Sequence, residues 1–123
     1  MSSDETDDGN QPDPAPPTPQ PAQTPSYEFL WDASKALSNL LKHEVSFVLA
    51  SSVIQDPLSL TIFDEDHSDE EDRWVTIGRA NNGQTLVVVH TSHYPQPNLI
   101  RTRIISARPA NRDELNDYHN TPR

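Results

Sequence analysis

The side chains best equipped for chemistry on a phosphate gather in the second half of this sequence. Arg101, Arg103, Arg108 and Arg112 lie within twelve residues of one another. A guanidinium keeps its charge at any working pH, and its planar fork matches phosphate geometry. Arg79 and Lys42 add further positive charge. His90 brings a group that exchanges protons near neutrality. Tyr118 brings a ring that can stack on a base and a hydroxyl that can donate a proton. Each also has an ordinary use. Arg79, at the end of a hairpin strand, is equally a solvated or ion-paired residue. His90, next to a run of valines, is more often a hydrogen-bonded, partly buried histidine than a base. Arg103 and Arg108 can form salt bridges to Asp32 or to an acid of the run 64–72. Tyr118 can pack its ring on a sheet, and Lys42-His43 can cap a helix.

Metal chemistry finds less support in the residue pattern. The chain has no cysteine, which removes both a thiolate zinc site and a disulfide framework. His90 and His93 are three apart, but at the end of a strand rather than on a helix that would align them. The run from Asp64 to Asp72 holds seven acids, yet it lacks the glycine and terminal glutamate spacing of a calcium loop. It reads as an exposed loop, or as a segment that mimics phosphate charge and shields a basic surface. No metal and no cofactor is expected.

Net charge is a poor guide to partners here. The formal value is −10, with five acids in the first 25 residues and seven in the run 64–72. Outside those two segments seven acids face nine Lys and Arg, a net of about +2. An acidic chain can therefore present a locally basic surface, so a nucleic-acid partner is not excluded.

The positioning elements follow from periodicity and capping chemistry. Tyr27 to Trp31 reads as a short strand. Asp32 caps a helix whose apolar stripe is Ala33, Ala36, Leu37, Leu40 and Leu41, the face an amphipathic helix turns to a core. Ser46 caps a second helix with Phe47, Leu49, Ala50, Val53 and Ile54 inward, and Asp56-Pro57 ends it. Strands are expected at 58–63, 73–79, 85–90 and 99–106, with a loop from His93 to Asn98. Asn111 and Glu114 fit a capping box opening a short helix through Tyr118.

Asn82-Gly83 has two-residue hairpin chemistry. Such a turn places Arg79 opposite Leu86, Ile77 opposite Val88 and Val75 opposite His90, with Arg79 and His90 on one face near opposite ends. Arg101 and Arg103 share a face of the last strand. Arg108 falls on the other face if that strand continues, although Pro109 favours an end there.

The order of elements reads as α+β, an antiparallel sheet with two N-terminal helices and one C-terminal helix packed on it. Residues 1–25 form a separate segment with seven of the twelve prolines and no Lys or Arg. This composition is that of a disordered tail with polyproline II character, leaving 26–123 as the domain. No stretch approaches the roughly 18 apolar residues of a membrane span. No leader-like apolar region opens the chain, so a cytoplasmic, membrane-free protein is expected.

An ordered series of short motifs runs through the domain. It comprises Phe29-Leu30-Trp31-Asp32, Lys35, Asn39, Lys42-His43, Val45-Ser46-Phe47, Asp56-Pro57-Leu58, Asp66-His67-Ser68 and Glu71-Asp72-Arg73. It continues through Ile77-Gly78-Arg79, Leu86 to Thr91, Arg103 to Arg108, and Glu114 with Tyr118. In that order they resemble the BrnT family, the toxin half of type II toxin–antitoxin pairs. Two positions depart from the family pattern. Glu44 stands where a glycine usually supplies a left-handed cap, and Asn111-Arg112-Asp113 replaces a more basic stretch.

The resemblance implies a RelE-like fold and metal-independent cleavage of mRNA that inhibits translation, in which the RNA's own 2′-hydroxyl attacks the adjacent phosphate. It assigns Arg79, His90, Arg103, Arg108 and Tyr118 as candidate catalytic groups and Lys42, Arg101 and Arg112 as RNA contacts. It further implies neutralisation by a BrnA-type antitoxin with a ribbon-helix-helix part, the complex alone binding promoter DNA. Two other readings stay open. One is a non-catalytic module of the same fold serving antitoxin-dependent promoter autoregulation. The other is a small metal-dependent hydrolase.

Overall fold

A computed structural model describes residues 25–122. The expected tail therefore lies outside the described residues, apart from Pro25. The elements are β1 (Ser26–Leu30), α1 (Ala33–His43), α2 (Phe47–Ile54), β2 (Leu60–Phe63), β3 (Trp74–Arg79), β4 (Thr85–Gln96), β5 (Leu99–Pro109) and α3 (Arg112–Asn120). One five-stranded sheet has the order β1-β5-β4-β3-β2. All its pairs are antiparallel except the edge pair β1–β5. The molecule is α+β with a mixed sheet.

Cap chemistry sets the helix starts. The Asp32 carboxylate accepts from Lys35 N at 3.0 Å and Ser46 Oγ from Leu49 N at 3.0 Å. Asn111 and Glu114 close a reciprocal capping box at 2.9 Å each way. Glu44, at φ 57 and ψ 33, takes the left-handed cap of α1 despite its side chain.

The sheet is covered on both faces. Val45, Phe47, Ala50 and Val53 pack with Leu86, Val88, Ile104 and Ala107 beneath α1 and α2. On the other face Tyr118 of α3 packs with Ile77 and Val87. Gly78 lets α2 come down on the sheet: a Cβ there would meet Val53 Cγ1 at 3.0 Å and Asp56 Oδ2 at 3.1 Å.

Four expectations are corrected. The hairpin turn is a three-residue loop, closed by Ala80 N–H to Gln84 O at 2.8 Å with Gly83 at φ 89. Its longer turn moves the register by one residue, so His90 pairs with Trp74 and Leu86 with Gly78, while Arg79 pairs with Thr85. A one-residue shift reverses every face. His90 therefore lies on the α1/α2 side, on the opposite face from the one Arg79 occupies in the ladder. Secondly, β4 runs on to Gln96, and the irregularity between His93 and Gln96 accommodates Pro95, which has no N–H for a ladder. Thirdly, β5 continues to Pro109 through a bulge: Val89 pairs with Ser106, but His90 pairs with Ile104.

Finally, α1 turns its leucines outward. Leu37, Leu40 and Leu41 are 58%, 45% and 76% exposed, and the buried residue of α1 is Asn39. Its carboxamide donates to Ala107 O at 2.8 Å and Val45 O at 3.0 Å and accepts from Ala107 N at 3.0 Å. β1 pairs no further than Arg103, so Asn39 serves the exposed edge of β5 as a neighbouring strand would.

Candidate functional site

The bulge in β5 decides where the arginines go. Arg101 pairs with His93 and Arg103 with Thr91, while beyond the skipped Ile105 Arg108 pairs with Val87. Val87 belongs to the α3-side core. Arg108 is therefore returned to the same face as Arg101 and Arg103, contrary to the alternation of an unbroken strand. Three guanidinium groups line one face of a single strand.

Each is met by a carboxylate from a different element. Glu28 of β1 pairs with Arg101, Glu71 of the 64–72 loop with Arg103, and Glu114 of α3 with Arg108. The last pair is a two-bond fork at 2.8 and 2.7 Å. Its hydrogen bonds hold the Glu114 carboxyl below the usual carboxylate range and raise the Arg108 guanidinium further.

The acidic loop is braced rather than slack. Asp64 N–H donates to Arg73 O at 2.9 Å, Ser68 Oγ to Asp64 O at 2.6 Å, and Arg73 N–H to Ser68 Oγ at 3.1 Å. His67 adds a contact to Asp64 at 3.1 Å. The loop thus presents Glu71 to Arg103, beside Arg73, and both line a hollow of about 320 Å³ with Asp66, His67, Asp69 and Glu70. The Arg73 Nε is buried without a hydrogen-bond partner among the described residues. Sequence reasoning named neither Glu71 nor Arg73 as an individual site residue. Their place in the Glu71-Asp72-Arg73 motif was the available sign.

His90 belongs to a different arrangement. It is 4% exposed, with Nε2 at 2.7 Å from Thr76 Oγ1 and Nδ1 at 3.2 Å from Ser92 Oγ. Thr61 extends the chain beyond Thr76 at 2.8 Å, and Thr102 extends it beyond Ser92 at 3.1 Å. Burial lowers the His90 pKa against a smaller opposing contribution from the Thr91 carbonyl, favouring the neutral ring. This network floors a cavity of about 890 Å³ walled by Tyr27, Ile54, Trp74 and Ile100. Among the described residues its lining has three carboxylates, Asp56, Glu71 and Asp72, and no Lys or Arg. A polyanion finds no counter-charge there, so the arginine face is the stronger candidate despite its shallower relief.

The other nominated residues are dispersed. Tyr118 is buried, and its hydroxyl donates to Asp56 Oδ2 at 2.6 Å. That oxygen also accepts the Arg79 N–H at 2.8 Å, tying α3 to the turn after α2. Arg79 lines a small hollow with Ser52, Gln55, Asp56, Pro57 and Asn81. Lys42 is exposed in the last turn of α1, and Arg112 is exposed at the start of α3. The structure gathers Arg101, Arg103 and Arg108 and separates His90 from them. Among the described residues no group of three His, Asp or Glu is placed to hold a metal. No described helix is long and apolar enough to cross a membrane.

No curated protein matches this chain. A solved ribonuclease toxin BrnT from Brucella abortus is similar, at 20% identity and a TM-score of 0.49, over 71% of this chain and 99% of that one. The sequence profile of a family described as "Ribonuclease toxin, BrnT, of type II toxin-antitoxin system" matches residues 31–114. That span is well over half of the chain and runs from Trp31 to Glu114, so it contains the arginine row with Glu71 and Glu114 but not Glu28. The chain belongs to the BrnT family of ribonuclease toxins of type II toxin–antitoxin systems.

Proposed function

We propose that this protein is a metal-independent endoribonuclease that cleaves mRNA, with the α3-side face of β5 as its RNA site. The carrying observation is the bulge that brings Arg101, Arg103 and Arg108 onto one face. Guanidinium groups in a row can hold successive backbone phosphates and stabilise the extra charge of a phosphorane. The RNA supplies its own nucleophile, the 2′-hydroxyl, so the protein has only to align it, take up a proton and offset charge. Arg103 and Arg108 carry the last role and Arg101 positions the strand. RNA binding exchanges each arginine's carboxylate for a phosphate. The family implies an antitoxin partner. We take it to be of the BrnA type, bringing promoter DNA to the complex through its own DNA-binding part, in the cytoplasm.

The exposed leucines of α1 support that partnership. Lys35 and Lys42 are the charged residues beside them before His43, and the helix carries no acid. Two copies would oppose like charges there, whereas an acidic amphipathic helix of an antitoxin would complement both features.

One observation favours a second reading, a non-catalytic module acting in promoter autoregulation: each arginine of the row already has an intramolecular carboxylate. Purified protein incubated with RNA in EDTA separates the two. Cleavage by the wild type that Arg108→Ala slows supports the enzyme. Intact RNA, with wild type and Arg108→Ala alike, refutes it.

A further inference from the structure

We infer that Glu71 is the general base of the cleavage reaction, an inference that rests on the function proposed above. The reaction needs an acceptor for the 2′-hydroxyl proton within reach of a phosphate on the arginine row. His90 cannot serve: Glu71 reaches the rim of its cavity, but His90 lies buried at the floor with both ring nitrogens hydrogen-bonded, on the face away from the arginine row. Three carboxylates face the row. Glu114 is committed to Arg108 through two bonds and to the Asn111 N–H through a third, and the same bonds depress its affinity for a proton. Glu28 stands on β1, the edge strand, at the margin of the face.

Glu71 alone arrives over the sheet from the side of β3, carried by a loop that three hydrogen bonds brace. Its carboxylate reaches Arg103 while remaining 42% exposed, so a substrate hydroxyl can approach it. Arg73, two residues on, has a buried Nε that finds no hydrogen-bond partner among the described residues. A buried guanidinium nitrogen without a partner is expensive, and a phosphate oxygen beside Glu71 would relieve it. The loop thus offers a base and a cation together, opposite the cations of β5.

In the step itself the 2′-oxygen forms a bond to phosphorus and the bond from phosphorus to the 5′-oxygen breaks. The 2′-hydroxyl proton passes to the Glu71 carboxylate; the departing 5′-oxygen takes a proton from water, and Glu71 returns its proton to the hydroxide so formed. The products are a 2′,3′-cyclic phosphate and a 5′-hydroxyl, with no co-reactant required. Arg103, already in contact with Glu71, holds the carboxylate in place until phosphate displaces it.

The test is single-turnover cleavage of a single-stranded RNA oligonucleotide in EDTA by wild type, Glu71→Gln, Glu71→Ala, Glu70→Gln and Glu28→Gln. Binding is measured in parallel on a 2′-O-methyl RNA, which has no proton to lose. Glu71→Gln should cleave roughly 10²–10⁴-fold more slowly, yet bind the methylated RNA as tightly as wild type or more so. Retained binding reports an intact fold. Formate should restore part of the Glu71→Ala rate, and Glu70→Gln, the same charge change one residue away, should cleave like wild type. Equal or faster cleavage by Glu71→Gln overturns the inference and makes the loop a shield. So does a comparable loss in Glu28→Gln. Wild type that leaves RNA intact removes the proposed function, and the base with it.

Discussion

Replacing His90 separates a structural histidine from a catalytic one. The His90→Ala variant loses hydrogen bonds to Thr76 and Ser92, each worth about 1 kcal/mol net. Those hydroxyls keep Thr61 and Thr102 as partners, so no buried group is orphaned. The vacated ring leaves a partly collapsed void worth a further ~1–2 kcal/mol. The expected loss is about 3–4 kcal/mol, a large part of the ~5–15 kcal/mol of a typical domain. Urea unfolding reads it directly. The pH dependence carries a sign as well. Burial lowers the folded pKa below the ordinary 6.5, so the unfolded chain binds the proton first on acidification. Stability is then fully present above 6.5 and falls, by up to about 1.4 kcal/mol per pH unit, as pH drops toward the folded value. A neutral replacement such as His90→Asn should lack that slope. Under conditions where His90→Ala is folded, its RNA cleavage should stay within a few-fold of wild type. A hundred-fold slower reaction with unchanged urea midpoint would refute the structural assignment.

The remaining predictions concern the same framework. Asn39→Ala leaves the Ala107 N–H, the Ala107 carbonyl and the Val45 carbonyl unpaired. It should cost roughly 3–5 kcal/mol in urea unfolding; a loss under 1 kcal/mol would mean water replaces the side chain. Glu44→Gly relieves a left-handed backbone that L-residues resist by about 1–2 kcal/mol. The gain, offset by glycine's entropy, should be about 1 kcal/mol, or roughly 4–8 °C in melting temperature. The Glu114 carboxyl, held below its ordinary 4.5 by Arg108, contributes stability above that pH and loses it as pH falls through the lowered value. Glu114→Gln should flatten the acid limb of a melting-temperature profile, and an unchanged limb would discount the fork.

What was legible in the sequence is local chemistry. The caps at Asp32, Ser46 and Asn111 are each set by a side chain three residues from its partner. The strands around Trp74, Thr85 and Leu99 and the helices before and after them are likewise local readings. That Arg101 and Arg103 share a face was legible; the return of Arg108 to it and the side His90 takes were not, because one bulge and one residue of turn length decide them. Asn82-Gly83 has the composition of a two-residue turn but sits in a three-residue one, which sends His90 to the other side of the sheet. The bulge at Ile105 has no glycine to mark it. The outward leucines of α1 were hidden for a different reason. Periodicity identifies an apolar face but does not say whether the covering surface lies in the same chain, and Asn39 could anchor the helix with hydrogen bonds instead.

RNA should meet the arginine side of the sheet and touch the His90 cavity only at its Glu71 rim, leaving the floor around His90 untouched. The most direct measurement is a nuclear magnetic resonance titration of the labelled full chain with uncleavable 2′-O-methyl RNA, following the guanidinium Nε and Trp indole signals. Saturable shifts are expected at Arg101, Arg103 and Arg108, with the Trp74 indole unmoved. Shifts at Trp74, Thr76, His90 and Ser92, with the three arginines silent, would contradict this placement.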